Sequence, residues 1–260
     1  MKIAYYPGCT LKNKAKDLDR YARESAALLG YELCELENWQ CCGAAYTSAK
    51  DEIATKLPSV RALAASCEFG GELVTVCSAC YNVLKQTNHE FSVNPDFDLR
   101  VNNYLAPDIE YHGEANVIHF LELLRDKIGF DELAKKVVKP LTGKKVAAYY
   151  GCLLLRPSSV LELDSPENPK VMEDLIRALG GEPVIYPMRN ECCGGYITLE
   201  DKAQAKKRSD AVTSSAKEMG ADFIITACPL CKYNLTKNST TGVEIKYFTE
   251  VIAEALGIKE

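Results

Sequence analysis

Apolar positions along this chain fall into short blocks that switch between two periods, and the whole alternation occurs twice. Lys2 to Tyr6 and Lys145 to Tyr150 are brief β-rich runs, each halted by a glycine and a cysteine, Gly8-Cys9 and Gly151-Cys152. A glycine at such a step permits a tight turn and a close backbone approach. Helical spacing follows. Ala15, Leu18, Ala22, Ala26 and Leu29 share one face before Gly30, and Pro169 opens a segment carrying Val171, Leu175, Ala178 and Leu179 before Gly180-Gly181. A second strand is predicted over Tyr31 to Leu36 and over Glu182 to Tyr186. A further helix is predicted over Lys50 to Glu68 and over Asp201 to Met219, and a third strand over Glu72 to Val76 and Asp222 to Thr226. Strands alternating with helices imply a parallel sheet with helical crossovers.

The expected architecture is therefore α/β, with two duplicated domains related by pseudo-two-fold symmetry. Each is a small, mainly parallel sheet flanked by helices. The first domain is placed at 1–90 and the second at 144–260, with 91–143 as a linker and a partner-facing or lid segment. Within it, Phe91 to Asn116 has no counterpart of equal length in the second half, and Asn94-Pro95 and Ala106-Pro107 mark turns.

The cysteines sharpen this duplication. Cys9, Cys41, Cys42, Cys77 and Cys80 form C-x31-CC-x34-C-x2-C, and Cys152, Cys192, Cys193, Cys228 and Cys231 form C-x39-CC-x34-C-x2-C. A shift of 151 positions superposes four of the five, and 8 extra residues displace Cys152. Each adjacent pair is followed by glycine, Gly43 or Gly194. The lone cysteine, the pair and the C-x2-C each follow a different predicted strand. Functional loops of open parallel sheets gather at the carboxyl ends of the strands, so each set is expected to converge at one edge of its sheet.

Composition limits what the thiols are for. Disulfide scaffolds are short and poor in core, whereas this chain has 260 residues and 47% hydrophobic content. It opens Met1-Lys2-Ile3-Ala4 without an apolar leader and contains no run near the ~18 apolar residues of a membrane span. A cytoplasmic setting is expected, in which thiols stay reduced. Net charge of −5 and the lack of a Lys/Arg run argue against nucleic acid.

Two metal readings follow. Structural zinc takes four ligands, and five thiolates per half leave one unused; zinc in one half is the alternative. Iron–sulfur clusters distribute thiolates over several irons, which suits adjacent cysteines, and the spacing favours them. The bacterial ferredoxin run C-x2-C-x2-C-x3-C-P is absent.

With these motifs and the Tyr-Tyr-Pro-Gly-Cys opening at 5–9, the chain resembles the B-type subunits of heterodisulfide reductase over nearly its whole length. These belong to the CCG, or cysteine-rich domain, proteins. The resemblance implies two noncubane [4Fe–4S] clusters. One would be held by Cys9, Cys41, Cys42, Cys77 and Cys80, the other by Cys152, Cys192, Cys193, Cys228 and Cys231. Through these clusters the cysteines would act as catalytic residues, splitting a disulfide such as CoM-S-S-CoB to two thiols in a pocket between them. It implies partners too: a ferredoxin-like subunit with cubane [4Fe–4S] clusters and a flavin-containing subunit that supplies electrons. An electron-relay subunit of a lactate- or glycolate-oxidising complex, where similar repeats occur, is the alternative within the family. A zinc-stabilised interaction module is the alternative outside it.

Other residues are weaker candidates. Lys12, Lys14, Arg156 and Arg189 lie near cluster cysteines and are candidates for binding an anionic substrate, against a reading as solvated surface. Cys34 and Cys67 stand outside the repeat and read as small hydrophobes. His89, His112 and His119 fall between the halves and read as surface or core. Tyr5, Tyr6, Tyr149 and Tyr150 flank the lone cysteines, where packing competes with a pocket-lining role.

Overall fold

The computed structural model describes residues 1–44, 52–105, 107 and 109–259. The first half runs β1 (Lys2–Tyr5), α1 (Gly8–Asn13), α2 (Lys16–Leu28), β2 (Glu32–Glu35), α3 (Glu52–Cys67), β3 (Glu72–Thr75), α4 (Ser78–Val93), α5 (Pro95–Leu105), β4 (Asn116–His119) and α6 (Phe120–Glu122). A π-helical turn, Leu123–Ile128, and α7 (Phe130–Lys135) lead out of it. The second half runs β5 (Lys145–Tyr149), α8 (Ser158–Leu161), α9 (Val171–Ala178), β6 (Glu182–Val184), α10 (Lys202–Glu218), β7 (Phe223–Thr226), α11 (Pro229–Asn238), β8 (Glu244–Tyr247) and α12 (Phe248–Ala255).

Each half holds a four-stranded, all-parallel sheet, in the orders β2-β1-β3-β4 and β6-β5-β7-β8. The duplicated α/β architecture follows the sequence pattern, and the six strands read from periodicity lie where expected to within two residues. Lys50, at the start of one expected helix, lies outside the described residues, as does Ala106 of the expected Ala106-Pro107 turn. Two features escaped the pattern. The C-x2-C motifs open long helices, α4 and α11, and each sheet has a fourth strand. The 91–143 stretch supplies β4, which pairs with β3 and completes the first sheet. It also supplies α5, where Phe97 meets Phe91 with ring centroids 5.0 Å apart.

The fourth strands end in a repeated motif, His119-Phe120-Leu121-Glu122 and Tyr247-Phe248-Thr249-Glu250. In both, the glutamate side chain accepts a hydrogen bond from the backbone N–H at the strand end, closing a capping box. The helices that follow exchange places. α12 of the second half packs on α2 of the first, where the Thr249 hydroxyl donates to the Leu18 carbonyl at 3.0 Å, and α7 of the first half packs on α9 of the second. The larger hydrophobic core therefore runs through both halves, and a smaller one lies within the second half.

Candidate metal centres

In a sheet of order 2-1-3-4 the crossovers reverse direction between strands 1 and 3, and ligands bind outside the carboxyl ends of strands at such a switch point. The cysteines stand there in both sheets. β1 and β5 end in Gly8-Cys9 and Gly151-Cys152, while β3 and β7 run into Cys77 and Cys228, which cap α4 and α11. The Thr75 and Thr226 hydroxyls each accept the N–H of the cysteine two residues on, both at 3.4 Å. Cys80 and Cys231 then lie in the first helical turn, where the positive end of the helix dipole favours a thiolate, but their contacts with Cys42 and Cys77 and with Cys193 and Cys228, together with burial, push both thiols up.

The adjacent pairs are aimed by tyrosines three residues before each lone cysteine. The Tyr6 hydroxyl donates to the Gln40 carbonyl at 2.5 Å and Tyr149 donates to the Glu191 carbonyl at 2.7 Å. Each carbonyl belongs to the residue before the pair. All four flanking tyrosines are buried. Tyr5 donates to Asp19 at 2.6 Å, and Tyr150 donates to Glu173. They support the sites from behind.

The quintets share their central contact. In the first, Cys9 meets Cys41 at 3.4 Å and Cys42 meets Cys80 at 3.6 Å, and in the second Cys193 meets Cys231 at 3.5 Å. The electrostatic coupling of the remaining thiols follows matching neighbours, Cys41 with Cys42 and Cys80 with Cys77 in the first, Cys152 with Cys192, Cys192 with Cys193 and Cys231 with Cys228 in the second. These distances exceed the ~2.05 Å of a disulfide, and all twelve cysteines are free. Among the described residues no three donors converge on one ion-sized point. The sulfurs form a string instead, a shape suited to a group with several metal atoms.

Such crowding resists ionisation of all five. Hydrogen bonds from Cys41 and Cys80 pull the Cys42 thiol down to about 3, while its contact with Cys42 pushes Cys41 up. In the second set, hydrogen bonds from Cys152 and Cys193 pull Cys192 down to about 2, and Cys152 is pushed up. The neighbours accommodate a thiolate at Cys42 in the first set and at Cys192 and Cys228 in the second, where the hydrogen bond with Cys231 holds Cys228 down. A cationic metal centre would relieve the repulsion among the rest. Space supports the same fit. A Cβ on Gly8 would lie 2.6 Å from the Cys80 sulfur, and one on Gly151 would lie 3.3 Å from the Cys231 sulfur, both at left-handed φ. Only glycine lets the strand end come this close to the sulfurs.

The two centres abut. The Ser78 hydroxyl and N–H both donate to the Ala227 carbonyl, at 2.8 and 3.1 Å, and the buried Tyr247 hydroxyl lies between the carbonyls of Val76 and Ala227. A cavity of about 90 Å3 is lined by all five cysteines of the first set together with Tyr196, Pro229 and Leu230 of the second half. A more open cleft of about 550 Å3 reaches Cys41 and Cys42 from the α3–α4 side.

The chain matches the cysteine-rich domain family twice, over residues 3–85 and 146–236. It belongs to the CCG, or cysteine-rich domain, family. Its relatives include the 8-methylmenaquinol:fumarate reductase membrane anchor subunit of Wolinella succinogenes, 31% identical over 99% of this chain and 93% of that one. A protein of Archaeoglobus profundus, named for its likeness to the B-type heterodisulfide reductase subunit, is 31% identical over 90% of this chain and 81% of its own length. The B-type subunit of the ferredoxin/F420H2-dependent CoB-CoM heterodisulfide reductase of Methanosarcina acetivorans is 27% identical over 98% and 89%. The resemblance to the B-type heterodisulfide reductase subunits therefore holds across the chain. In fold, it superposes with a TM-score of 0.77 on a hypothetical protein from Helicobacter pylori, at 13% identity, and spans 49% of that chain. Among the described residues no helix is long and apolar enough to cross a membrane.

Three of the four basic candidates are held by protein partners. Lys12 pairs with Glu35 at 2.7 Å. The Arg156 guanidinium donates to the carbonyls of Asn190 and Pro166, bracing the loop ahead of Cys192. Arg189 is buried, donating to Glu173 at 3.1 Å and to Asn168. They read as substrate candidates because they are near the cysteines in sequence, which says nothing of where a guanidinium points. Lys14 lines a separate cleft between α1 and α11.

His119 is buried among the Tyr81 and Phe248 rings, and burial lowers its pKa to about 3. His112 is exposed beside Asp98, and His89 lies at the surface end of α4. Cys34 on β2 and Cys67 at the end of α3 join neither quintet. Residues that sequence reasoning passed over are Tyr196, which follows the second Cys-Cys-Gly loop and donates to the Ala44 carbonyl at 2.6 Å, and Arg208. The Arg208 side chain packs where a Gly194 Cβ would stand, and its charge helps hold Cys192 down. The unmatched tyrosine three residues after Cys193 was the available signal for the first; Arg208 gave none.

Proposed function

We propose that this chain is the iron–sulfur catalytic subunit of a heterodisulfide reductase-like complex, an oxidoreductase that splits a disulfide into two thiols. The observation that carries the reading is the pair of five-thiol sets, sharing the matched contacts Cys42–Cys80 and Cys193–Cys231, at the same switch point of two equivalent sheets. Cys9, Cys41, Cys42, Cys77 and Cys80 would hold one noncubane [4Fe–4S] cluster, and Cys152, Cys192, Cys193, Cys228 and Cys231 a second. Such clusters, when bound, supply single electrons and iron sites with affinity for sulfur. The chain's own residues do the rest. Tyr6 and Tyr149 fix the Cys-Cys loops, the α4 and α11 N-termini favour anionic sulfur, and Leu230 and Pro229 give the cavity at the first set an apolar wall. Electrons would arrive from a ferredoxin-like subunit with cubane clusters, fed by a flavin-containing subunit.

The fumarate reductase relative favours a second reading, in which the chain passes electrons between a quinol-linked partner and another subunit without binding a disulfide. Iron analysis and spectroscopy come first: two full clusters amount to roughly eight irons per chain, whereas zinc in place of iron sinks both readings. Anaerobic addition of a dialkyl disulfide to the reduced chain then separates them. Release of two thiols per disulfide supports the reductase, and reoxidation only by a protein acceptor supports the relay.

A further inference from the structure

A groove of about 520 Å3 runs between α1 and α2 of the first half and α11 of the second. Leu18 and Tyr21, both buried, form its floor, and the Tyr233 ring stands on its rim with 59% of its surface exposed. Thr10 and Pro229 line both this groove and the space inside the first quintet, so they form a shared wall between the two. None of the ten cluster cysteines lines the groove. A substrate sulfur lodged there is kept from the thiols by that wall. An electron can cross it.

The charges point the same way. Four lysines line the groove, Lys14, Lys232, Lys237 and Lys259, against two carboxylates, Asp17 and Glu250. Both carboxylates are already matched. Glu250 holds Lys232 at 2.6 Å and Lys259 at 2.7 Å, and Asp17 lies 3.7 Å from Arg20. Lys14 and Lys237 are exposed, and among the described residues neither forms an ion pair. A chain of net charge −5 thus turns a positive rim outward beside the exposed Cys9. Lysines around an exposed aromatic ring and an apolar floor suit a small, transient electron-transfer interface, where charge guides the encounter.

We propose that the α1–α11 groove is the docking surface for an acidic protein that passes single electrons to the first centre. The inference rests on the iron–sulfur reading of the first quintet and holds under either the reductase or the relay assignment. In the step, one electron leaves the donor's reduced group and enters the first centre; no bond forms or breaks and no proton moves. Lys14 and Lys237 steer the encounter. Glu250 holds Lys232 and Lys259 in place, and their remaining N–H groups meet the partner's carboxylates. Tyr233 supplies the packed contact.

The test uses the iron-loaded chain and a reduced plant-type [2Fe–2S] ferredoxin, an acidic one-electron donor, with delivery followed by stopped-flow absorbance. Reduction of the same sample by dithionite shows first that the chain accepts electrons. Raising salt from ~0.01 to ~0.15 M shortens the screening length from ~30 to ~8 Å. This is expected to slow delivery about tenfold or more. Lys14→Glu and Lys237→Glu are each expected to slow it at low salt and flatten its salt dependence, with iron content and visible spectrum unchanged. Tyr233→Ala is expected to raise the ferredoxin concentration at which the rate levels off. Lys136→Glu makes the same change of net charge beside Gly30 and Tyr31, at the amino ends of the strands, and is expected to leave delivery near its unaltered rate. Delivery that ignores salt, that slows no more in the groove variants than in Lys136→Glu, or that fails in a chain dithionite reduces, overturns the docking surface. Groove variants that keep normal delivery but need more 2-mercaptoethanesulfonate to change the spectrum give the groove to a small anion and overturn it as well. A chain that binds no iron, or that dithionite does not reduce, sinks the iron–sulfur reading, and the docking surface with it.

Discussion

Cys9 and Cys152 end equivalent strands, one residue after glycines of the same left-handed conformation, but their surroundings diverge. After Cys9 the chain forms the six-residue α1 and passes on, leaving the cysteine exposed. After Cys152 come the extra residues of the second half. They bury Leu154 and Leu155 and tie Arg156 to the Asn190 carbonyl, so Cys152 is half-buried. The cations follow the same split. Near the first centre Lys12 pairs with Glu35 at the surface, while near the second Arg189 meets Glu173 in the interior. A duplicated scaffold has kept its ligand geometry and varied its shielding: the first centre is reached through cavities, and the second is braced by an inserted loop.

The strongest test of this comparison asks whether the centres are separate at all. Cys41→Ser and Cys193→Ser each remove one sulfur from a different string. Each is expected to lower bound iron by about half, with the other centre keeping its spectrum. Loss of all iron from a variant with an unchanged circular dichroism spectrum shows that the ligand sets mix.

The next effect concerns the bracing. Removing Arg189 leaves Glu173 buried beside Tyr150 without its cation, and breaking a buried pair this way costs about 3–5 kcal/mol. Removing Lys12 frees a half-exposed pair, of the kind worth about 0–1 kcal/mol. Arg189→Met is therefore expected to lower the denaturation midpoint clearly and Lys12→Met hardly at all. Equal shifts in thermal or urea melts erase the proposed difference between the halves.

Much of this was legible in the sequence, for reasons of period and spacing. Short apolar runs ending at Gly-Cys marked β1 and β5, and the shared x34 interval from each Cys-Cys-Gly to its C-x2-C set the two sites on matching loops. The fourth strands, Asn116–His119 and Glu244–Tyr247, are no shorter than β2 or β3; they stayed hidden because their shared aromatic-Phe-x-Glu ending carries no cysteine to flag it. The C-x2-C motifs drew attention as ligands, which masked their place at the head of α4 and α11. The fates of Arg156 and Arg189 were invisible because they depend on Asn190, Asn168 and Glu173, partners fixed only by the fold. Tyr196 was passed over for the opposite reason: it acts across the pseudo-symmetry, on the half to which it does not belong.

A smaller difference lies in the two capping-box glutamates. Burial raises the pKa of Glu122, with Lys85 only partly offsetting it. Burial also acts on Glu250, but hydrogen bonds from Lys232 and Lys259 overcome it and bring its pKa down to about 2. A depressed carboxyl stabilises the fold above its unfolded pKa, near 4.5, and loses that contribution as pH falls toward the folded value. A raised carboxyl behaves oppositely: its protonated form is favoured at low pH, and the advantage disappears as pH rises through the folded pKa. Glu250→Gln is thus expected to cost on the order of 1 kcal/mol at pH 7, after solvent screening, and to flatten the stability curve between roughly pH 4.5 and 2. Glu122→Gln is expected to gain stability at neutral pH relative to acid. Melts from pH 3 to 8 that move in the same direction for both variants contradict the assignment.

The smallest expected effect is at the two cysteines without counterparts. Cys34 sits on β2, paired with Ala4 of β1, with its sulfur 3.7 Å from the Glu32 carbonyl oxygen. Cys67 ends α3, its sulfur 3.7 Å from the Leu63 carbonyl oxygen. Both thiols point to backbone within their own element, and neither joins the chain of contacts that links Cys9 to Cys77. Moreover, the second half places Val184 and Glu218 at or near the corresponding positions and still forms its complete quintet. Cys34→Ala and Cys67→Ala are therefore expected to leave iron content and the spectra of both centres unchanged, with stability altered by less than about 1 kcal/mol. A drop in iron in either variant enlarges the first ligand set beyond five and ends the equivalence of the two halves.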